Sequence, residues 1–337
     1  MDRPSRRQFL QAGLALAAIG VLSGCGQLPL PWQQPAKVPR IGFLAVGTRE
    51  GRQFLIDGLL RGLREHGYEE GPNILIEYRF SDDRNERLPA LAAEVVALKV
   101  DLIVASGSPA SFAARDATGT IPIVMGSLAA NPVETGLIES LARPGGNITG
   151  MTEMSSQLSV KWLELLKEIV PGLTRVAAFW NPENPAYGSA WRELGAGAPR
   201  LGVELVRLEV RVPEDLEGAF ESATRQRAGA LVMPADPLIL NRPRMVADLA
   251  LKYRLPTIYG FRQFADAGGL LSYGLDVVDS YRRAATHVDK ILKGAKPADL
   301  PMEQPTKFNF GINLKTAQAL GLIIPHGVLI QATEVLQ

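Results

Sequence analysis

"RIGFLAVGTREGRQFLIDGLLRGLREHGYEEGPNILIEYRF", residues 40–80, contains the unit on which the fold depends. Its two ends, 40–46 and 74–80, are short apolar runs that predict β-strands. The segment between them, 50–66, predicts a helix because large apolar residues recur along one face. These residues are Phe54, Leu55, Leu59, Leu60 and Leu63. A strand, a helix and a second strand in this order predict an α/β protein with a parallel sheet.

The same alternation continues along the rest of the chain. Short β-branched runs end in Gly, Ser, Pro or Asn, and a longer helical segment follows each of them. Two further strands are predicted in the first half, at 101–106 and 121–126. Four strands are predicted in the second half, at 175–181, 203–210, 229–235 and 255–260.

The two halves of the chain repeat one plan. The spacing along the chain from Ile41 to Ile123, in the first and fourth strands, equals the spacing from Val176 to Ile258. The third strands of the two halves do not keep this offset, so some loops differ in length between the halves. We therefore expect two similar Rossmann-like lobes with parallel sheets.

Three segments rich in Gly or Pro are predicted to connect the lobes, namely 143–151, 267–274 and 294–308. A helix over 277–292 would return the chain to the first lobe, and a helix over 313–322 would close the second. Three crossovers resist twisting but allow bending, as in proteins that close around a ligand by a hinge motion.

These connections set the expected limits of the lobes. The first lobe would comprise residues 40–149 and 275–300, and the second lobe residues 150–274 and 301–337. About 300 residues are enough for two lobes of ordinary size.

The first 24 residues have the pattern of an export signal. Three arginines in a short basic start precede an apolar run of 14 residues over 9–22, and a membrane-spanning helix needs roughly 20. An amphipathic helix is the alternative, but residues 12–22 offer no polar face. The segment from Ser5 to Leu10, "SRRQFL", resembles the twin-arginine export motif. The general secretion route stays open, because any basic start serves it.

Cys25 is the sole cysteine of the chain, and "LSGC" (22–25) resembles a bacterial lipobox. The resemblance implies that the signal is removed before Cys25 and that this thiol carries a lipid anchor. Each buried methylene of an acyl chain adds about 0.8 kcal/mol of membrane affinity. Residues 25–39, with four prolines, would form a stiff tether between the anchor and the first lobe. We expect an exported protein, periplasmic or at the cell surface, held on a membrane.

The charge balance is nearly neutral. The chain has 36 Lys and Arg against 35 Asp and Glu, a net charge of +1, and removal of residues 1–24 leaves about −1. A nucleic-acid partner would normally be indicated by a strongly basic domain or patch. We therefore expect no nucleic-acid partner.

Four longer stretches carry a resemblance to a known family. They are "ANPVETGLIESLARPGGNITG" (130–150), "RVAAFWNPENP" (175–185), "RLPTIYGFRQFADAGGLLSYG" (254–274) and "YRRAATHVDKILKGAKPADLPMEQPTKFNFGINLKTAQALGLIIP" (281–325). They resemble the tryptophan/tyrosine-type family of ABC transporter substrate-binding proteins, over roughly residues 38–335. The resemblance implies the type I periplasmic-binding fold, with an ABC permease and its ATPase as partners. It also implies a small-molecule ligand, an aromatic amino acid before other small carboxylates or amides.

Ligand contacts are expected at the carboxyl ends of the strands, where open α/β sheets bind ligands. Helix N-termini at this edge suit a carboxylate, because they present free N–H groups. Serine at such a position is also the usual N-cap of a helix, and this alternative stays open. The candidates in the first lobe are Thr48, Ser106, Gly107, Ser108, Gly126 and Ser127.

The second lobe supplies an acid, an amide and several aromatic residues. Asp236 follows a predicted buried strand and could pair with an ammonium group, or could cap the helix that begins at Pro237. The aromatic residues could stack on a ligand, although each could equally belong to the core. The candidates are Asn181, Tyr187, Asp236, Tyr259, Phe261 and Tyr273.

No sequence motif for catalysis or metal binding stands out. The three histidines, His66, His287 and His326, lack the spacing of metal ligands. The sequence has neither a G-x-S-x-G elbow nor a G-x-x-x-x-G-K-[ST] loop. We expect no cofactor and no enzymatic activity, and a monomeric solute receptor of an importer. A sensory binding protein and an exported α/β enzyme are the alternatives.

Overall fold

The computed structural model describes residues 37–127, 129–153, 158–234, 236–304 and 308–337. The predicted signal peptide, Cys25 and the tether as far as residue 36 lie outside the described residues. Small parts of the predicted strand 229–235 and of the crossover 294–308 also lie outside them.

Twelve strands and twelve α-helices are assigned in the described ranges. The strands are β1 (Arg40–Ala45), β2 (Leu75–Phe80), β3 (Leu102–Ser106), β4 (Ile123–Ser127), β5 (Ile148–Gly150), β6 (Arg175–Trp180), β7 (Glu204–Glu209), β8 (Ala230–Met233), β9 (Thr257–Tyr259), β10 (Leu271–Leu275), β11 (Phe308–Asn313) and β12 (Glu334–Leu336). The helices are α1 (Arg49–Glu65), α2 (Leu88–Ala97), α3 (Ser108–Ala117), α4 (Ser159–Ile169), α5 (Ala186–Gly197), α6 (Asp215–Arg225), α7 (Pro237–Leu240), α8 (Pro243–Lys252), α9 (Gln263–Asp266), α10 (Val277–Leu292), α11 (Leu314–Ala319) and α12 (His326–Leu329).

The strands form two separate sheets. The first has five parallel strands in the order β2-β1-β3-β4-β5, and the second has seven in the order β12-β11-β10-β9-β8-β6-β7. The run β2-β1-β3-β4-β5 of the first sheet corresponds to the run β7-β6-β8-β9-β10 of the second. The predicted α/β class with two similar lobes is therefore confirmed. Below, the first lobe means the five-stranded sheet with the helices packed on it, and the second lobe means the seven-stranded sheet with its helices.

The second sheet departs from the expected parallel arrangement at one edge. β11 runs antiparallel to β10, and β12 pairs parallel with β11. Two segments expected to be crossovers also contain strands, since β5 lies within 143–151 and β10 begins within 267–274. Both segments join a sheet, where their backbone N–H and C=O groups find partners. The predicted helix over 313–322 is shorter, at Leu314–Ala319.

The first lobe is held together by close packing of α1 against α10. The Thr48 hydroxyl accepts a hydrogen bond from the Gly51 N–H and caps α1. The Asp276 carboxylate accepts one from the Asp279 N–H and caps α10. Glycine allows the approach, because a Cβ placed on Gly58 or Gly62 would lie 2.7 Å and 2.0 Å from carbonyl oxygens of α10. The chain segment that returns after β10 thus belongs to the core of the first lobe.

Two connections between the lobes lie side by side. Met151, directly after β5, forms a parallel bridge with Glu303. The Glu303 N–H donates to the Gly150 carbonyl at 2.8 Å, and the Thr152 N–H donates to the Glu303 carbonyl at 2.9 Å. In the remaining connection, Asp276 alone separates β10 from α10. Within the described residues, no helix combines the length and the apolar character that a bilayer span requires.

Candidate functional site

A cavity lies between the two lobes, at the carboxyl ends of their strands. The first lobe contributes residues that follow β1, β3 and β4, and the second lobe contributes residues that follow β8 and β9. The cavity is therefore placed where an α/β fold binds ligands.

Arg52 is the cation of this cavity. It lies in the first turns of α1 and is 2% exposed, and its Nε donates to the Val46 carbonyl at 2.8 Å. Its Nη2 has no hydrogen-bond partner among the residues that the structure describes. Burial lowers the pKa of the guanidinium, against the opposing effect of Tyr281, Asp83, Asp236 and Glu153. A buried guanidinium nitrogen without a partner is costly unless an anion contacts it.

Glu153 is the acid on the first crossover, two residues after Met151. It is 6% exposed, and its Oε1 accepts a hydrogen bond from the Ser127 hydroxyl. The other oxygen, Oε2, lacks a partner in the part of the chain that the structure describes. Burial raises the pKa of this carboxyl to about 7, although the Ser127 hydrogen bond and the charge of Arg52 work against the rise. A nearby cation would therefore stabilise the ionised form of this carboxyl.

Asp236 is a second buried acid, 3% exposed, and its oxygens are occupied. Oδ1 accepts from the Leu238 N–H at 2.8 Å, and Oδ2 accepts from Asn184 Nδ2 at 2.8 Å and from Asn181 Nδ2 at 3.2 Å. Burial raises its pKa, and these hydrogen bonds oppose the rise. Asp236 therefore caps α7, holds Asn184 in the cavity wall and holds Asn181 beside it.

Tyr281 from α10 contributes to the first-lobe side of the cavity. Its hydroxyl donates to Ser106 Oγ at 2.6 Å, and burial raises the pKa of the phenol to about 12. Gly126 leaves room for the ring, because a Cβ there would lie 2.4 Å from a ring carbon of Tyr281. The remaining wall is largely apolar. Its main side chains are those of Leu55, Leu240, Phe261 and Val277.

Five of the twelve predicted ligand-contact residues line this cavity. They are Gly107, Ser108, Ser127, Asp236 and Phe261. Three polar or small residues lie next to it in supporting positions, since Ser106 and Gly126 contact Tyr281 and Asn181 contacts Asp236.

The other four predicted residues are placed elsewhere. Thr48 caps α1, and Tyr187 is buried against Trp180, with its hydroxyl 3.4 Å from the Pro234 carbonyl. Tyr259 stacks on Phe264, with ring centroids 3.9 Å apart. Tyr273 stacks on Phe308. The three tyrosine rings thus pack within the second lobe instead of lining the cavity.

The sequence interpretation missed Arg52, Glu153, Asn184 and Tyr281. Arg52 had a detectable pattern, because it precedes Leu55 by three residues and Leu59 by seven and so interrupts the apolar face of a helix. Glu153 had none, since it lies in an irregular connection that only the folded chain brings to the cavity.

Contacts between the lobes close the cleft beside the cavity. Asp83, after β2, accepts from Asn241 Nδ2 at 2.8 Å and from Arg242 Nη2 at 2.5 Å, both from the second lobe. A Cβ on Gly47, which has a φ of +90°, would lie 2.0 Å from Asn241 Nδ2. At an exposed position, Arg192 pairs with Glu134 at 2.5 Å. The lobes are therefore in a closed arrangement.

Among the described residues, no group of three or more His, Cys, Asp or Glu side chains could hold a metal ion.

Residues 41–336 match the family described as ABC transporter substrate binding protein. The chain belongs to this family. The match covers both sheets, and the predicted family resemblance is confirmed at this level.

One curated relative is the tyrosine-binding protein of Clostridioides difficile (strain R20291). It is 28% identical over 266 residues, which is 79% of this chain and 76% of the relative. Among solved structures, the ABC domain from Streptococcus pneumonia in complex with L-Trp is 25% identical, with a TM-score of 0.81, and 88% of this chain and 99% of that chain are covered. A conserved domain protein from Vibrio cholerae O1 biovar El Tor is 26% identical, with a TM-score of 0.83, and 89% of this chain and all of that chain are covered. The type I periplasmic-binding fold is confirmed by these likenesses.

Proposed function

We propose that this substrate-binding protein binds a small molecule, an amino acid, between its lobes and delivers it to the permease of an ABC importer. The single observation that carries the proposal is the cavity between the lobes, whose wall buries a guanidinium and carboxyl groups together. An amino acid presents both complementary charges at one end. The L-Trp complex and the tyrosine-binding relative support this class of ligand.

Both lobes contact the cavity, and this explains how a ligand would favour closure. Arg52, Ser127 and Tyr281 come from the first lobe, and Asp236, Leu240 and Phe261 come from the second. A ligand that contacts both lobes binds the closed form more tightly than the open form, and its differential affinity shifts the population. The closed form is then the state that a permease recognises.

Isothermal titration calorimetry of the mature protein against the twenty amino acids tests the proposal. Sugars and simple carboxylates without an amino group serve as controls. Saturable binding of at least one amino acid, with negative heat-capacity change from burial, is the expected result. Binding of sugars alone, or of no amino acid, would contradict it.

We further propose that the protein acts outside the cytoplasm as a monomer anchored through lipid on Cys25, with residues 25–39 as the tether. The lipobox-like "LSGC" and the twin-arginine pattern support this location. In cell fractionation, wild-type protein should sediment with membranes. Cys25→Ser should release it into the soluble exported fraction. Lys in place of both Arg6 and Arg7 should retain it in the cytoplasm, and unchanged export would exclude the twin-arginine route.

A further inference from the structure

We infer that Arg52 and Glu153 recognise the two charges of the ligand, that its side chain is uncharged, and that Asp236 is a positioning residue. The inference rests on the proposed function and extends it to named atoms. It assigns the ligand carboxylate to Arg52 Nη2 and the ligand ammonium to Glu153 Oε2.

The assignment to Arg52 follows from its hydrogen bonds. The guanidinium has five N–H donors and no acceptor, and Nε already holds the Val46 carbonyl. Nη2 lies buried without a partner among the described residues, on a side chain whose position the helix and this bond fix. Arginine binds carboxylates with favourable geometry, so a ligand carboxylate is the group that satisfies Nη2.

The assignment to Glu153 follows in the same way, from a buried acceptor atom that has no hydrogen-bond partner among the described residues. Its Oε1 is held by the Ser127 hydroxyl, which orients the carboxylate. Its Oε2 is buried and unpartnered within the described ranges. An ammonium group carries three donors, and one of them would satisfy Oε2. The two free atoms, one a donor and one an acceptor, match the two charged groups of an α-amino acid.

Asp236 differs from Glu153 although both are buried acids of the cavity. Three donors from its own lobe already occupy its two oxygens. Those bonds hold Asn184 and the start of α7, and therefore also Pro237 and Leu240, in the cavity wall. Asp236 thus shapes the site through its neighbours.

The rest of the wall determines the class of ligand side chain. Among the described lining residues, Arg52, Glu153 and Asp236 are the charged ones. With Asp236 satisfied, a third charge on the ligand would be buried without a counter-charge, which is costly. The apolar side chains of Leu55, Leu240 and Phe261 instead suit an apolar or aromatic ligand side chain.

Calorimetry with matched ligand analogues tests the inference. The best-binding amino acid is compared with its decarboxylated amine and its deaminated acid, on wild type, Arg52→Gln and Glu153→Gln. Arg61→Gln is the control, because Arg61 is exposed on the same helix. Wild type and control should bind the amino acid at least about a hundredfold more tightly than either analogue. Removal of one charged hydrogen bond typically costs about tenfold to a hundredfold.

Wild type should prefer the amino acid both to its amine and to its deaminated acid, and each variant should lose one of these two preferences and keep the other. Arg52→Gln should bind the amine nearly as well as the amino acid, yet still discriminate against the deaminated acid. Glu153→Gln should show the reverse. Asp236→Asn should weaken all three ligands by a similar factor, because positioning affects the whole wall.

Two outcomes would overturn the inference without affecting the proposed function. One is wild type that binds an amino acid and its amine equally. The other is a folded Arg52→Gln or Glu153→Gln variant with wild-type ratios. Should a variant fail to fold, wild type alone still tests the inference. It should prefer the amino acid to both analogues, and it should bind lysine and glutamate more weakly, because their side chains carry a third charge. If wild type binds no amino acid at all, the proposed function itself fails.

Discussion

Arg242 Nη2 of the second lobe lies 2.5 Å from Asp83 Oδ2 of the first lobe, and this ion pair spans the cleft next to the cavity. The Asp83 side chain is 9% exposed and that of Arg242 is 24% exposed. Asn241 donates to the other oxygen of the same carboxylate. The pair forms only when the lobes are together, so it stabilises the closed form independently of any ligand.

Asp83→Asn should therefore weaken ligand binding without altering ligand selectivity. Asparagine tolerates the positive φ of this position, 61°, and removes the charge. Loss of a charge-assisted bond at a partly buried site should reduce affinity about tenfold. Stopped-flow measurements should show faster dissociation of the ligand. X-ray scattering should show a larger radius of gyration for the ligand-free protein.

Glu134→Gln provides the matched control for this contact. Its partner Arg192 also lies on the other lobe, but the two side chains are 50% and 66% exposed. Exposed ion pairs contribute about 0–1 kcal/mol, so little change is expected. Equal effects of both variants would show that the Asp83 contact has no special part in closure.

Ligand affinity should fall at acidic pH because of Glu153. Burial raises the pKa of its carboxyl to about 7, so the carboxyl is increasingly protonated below that pH and no longer attracts an ammonium group. The dissociation constant should rise by up to about tenfold for each pH unit below 7. Calorimetry from pH 8 to 5 measures the profile. Glu153→Gln should bind weakly with a flat profile, and an unchanged slope would contradict the assignment.

The stability of the ligand-free protein should have the opposite pH dependence through the same group. A carboxyl whose pKa rises from 4.5 in the unfolded chain to about 7 in the folded one binds more protons when folded. Its contribution to the free energy of unfolding therefore decreases as pH rises from about 4.5 to 7. Thermal melts should show a smaller decrease for Glu153→Gln. A decrease equal to that of wild type would argue against the raised pKa.

Gly62→Ala should destabilise the first lobe even though alanine favours helices. The new Cβ would lie 2.0 Å from the Arg282 carbonyl oxygen and 2.7 Å from the Ala285 Cβ, so α1 and α10 would have to separate. Overpacking of this kind costs about 1–3 kcal/mol. Gly218→Ala in α6 meets nothing within 4 Å and should stabilise by about 1 kcal/mol. Urea denaturation compares the two, and similar effects would contradict the packing account.

The sequence predicted the long, regular elements well. α10 begins and ends at the predicted residues, 277 and 292, because Asp276 caps it and its apolar residues recur at helical spacing. β5 was predicted as part of a connection, since three residues within "RPGGNITGM" are too few to show alternation. β11 was missed because its antiparallel pairing with β10 depends on contacts distant in sequence.

The site was predictable where it follows from sheet geometry. Ser108, Ser127 and Asp236 line the cavity because the carboxyl ends of parallel strands meet at one edge. The aromatic residues Tyr187 and Tyr259 could not be assigned, because sequence alone does not separate a core ring from a pocket ring. Glu153 lies in a connection between the lobes, and no local sequence pattern predicts that such a residue lines the cavity.

The most direct test of the central claim is a crystal structure of the protein purified from cells that export it, at a resolution that identifies a bound small molecule. The account predicts an amino acid between the two lobes, with its carboxylate within hydrogen-bond distance of Arg52 and its ammonium group within that distance of Glu153. A bound molecule without a carboxylate, or one held outside this cavity, would contradict it.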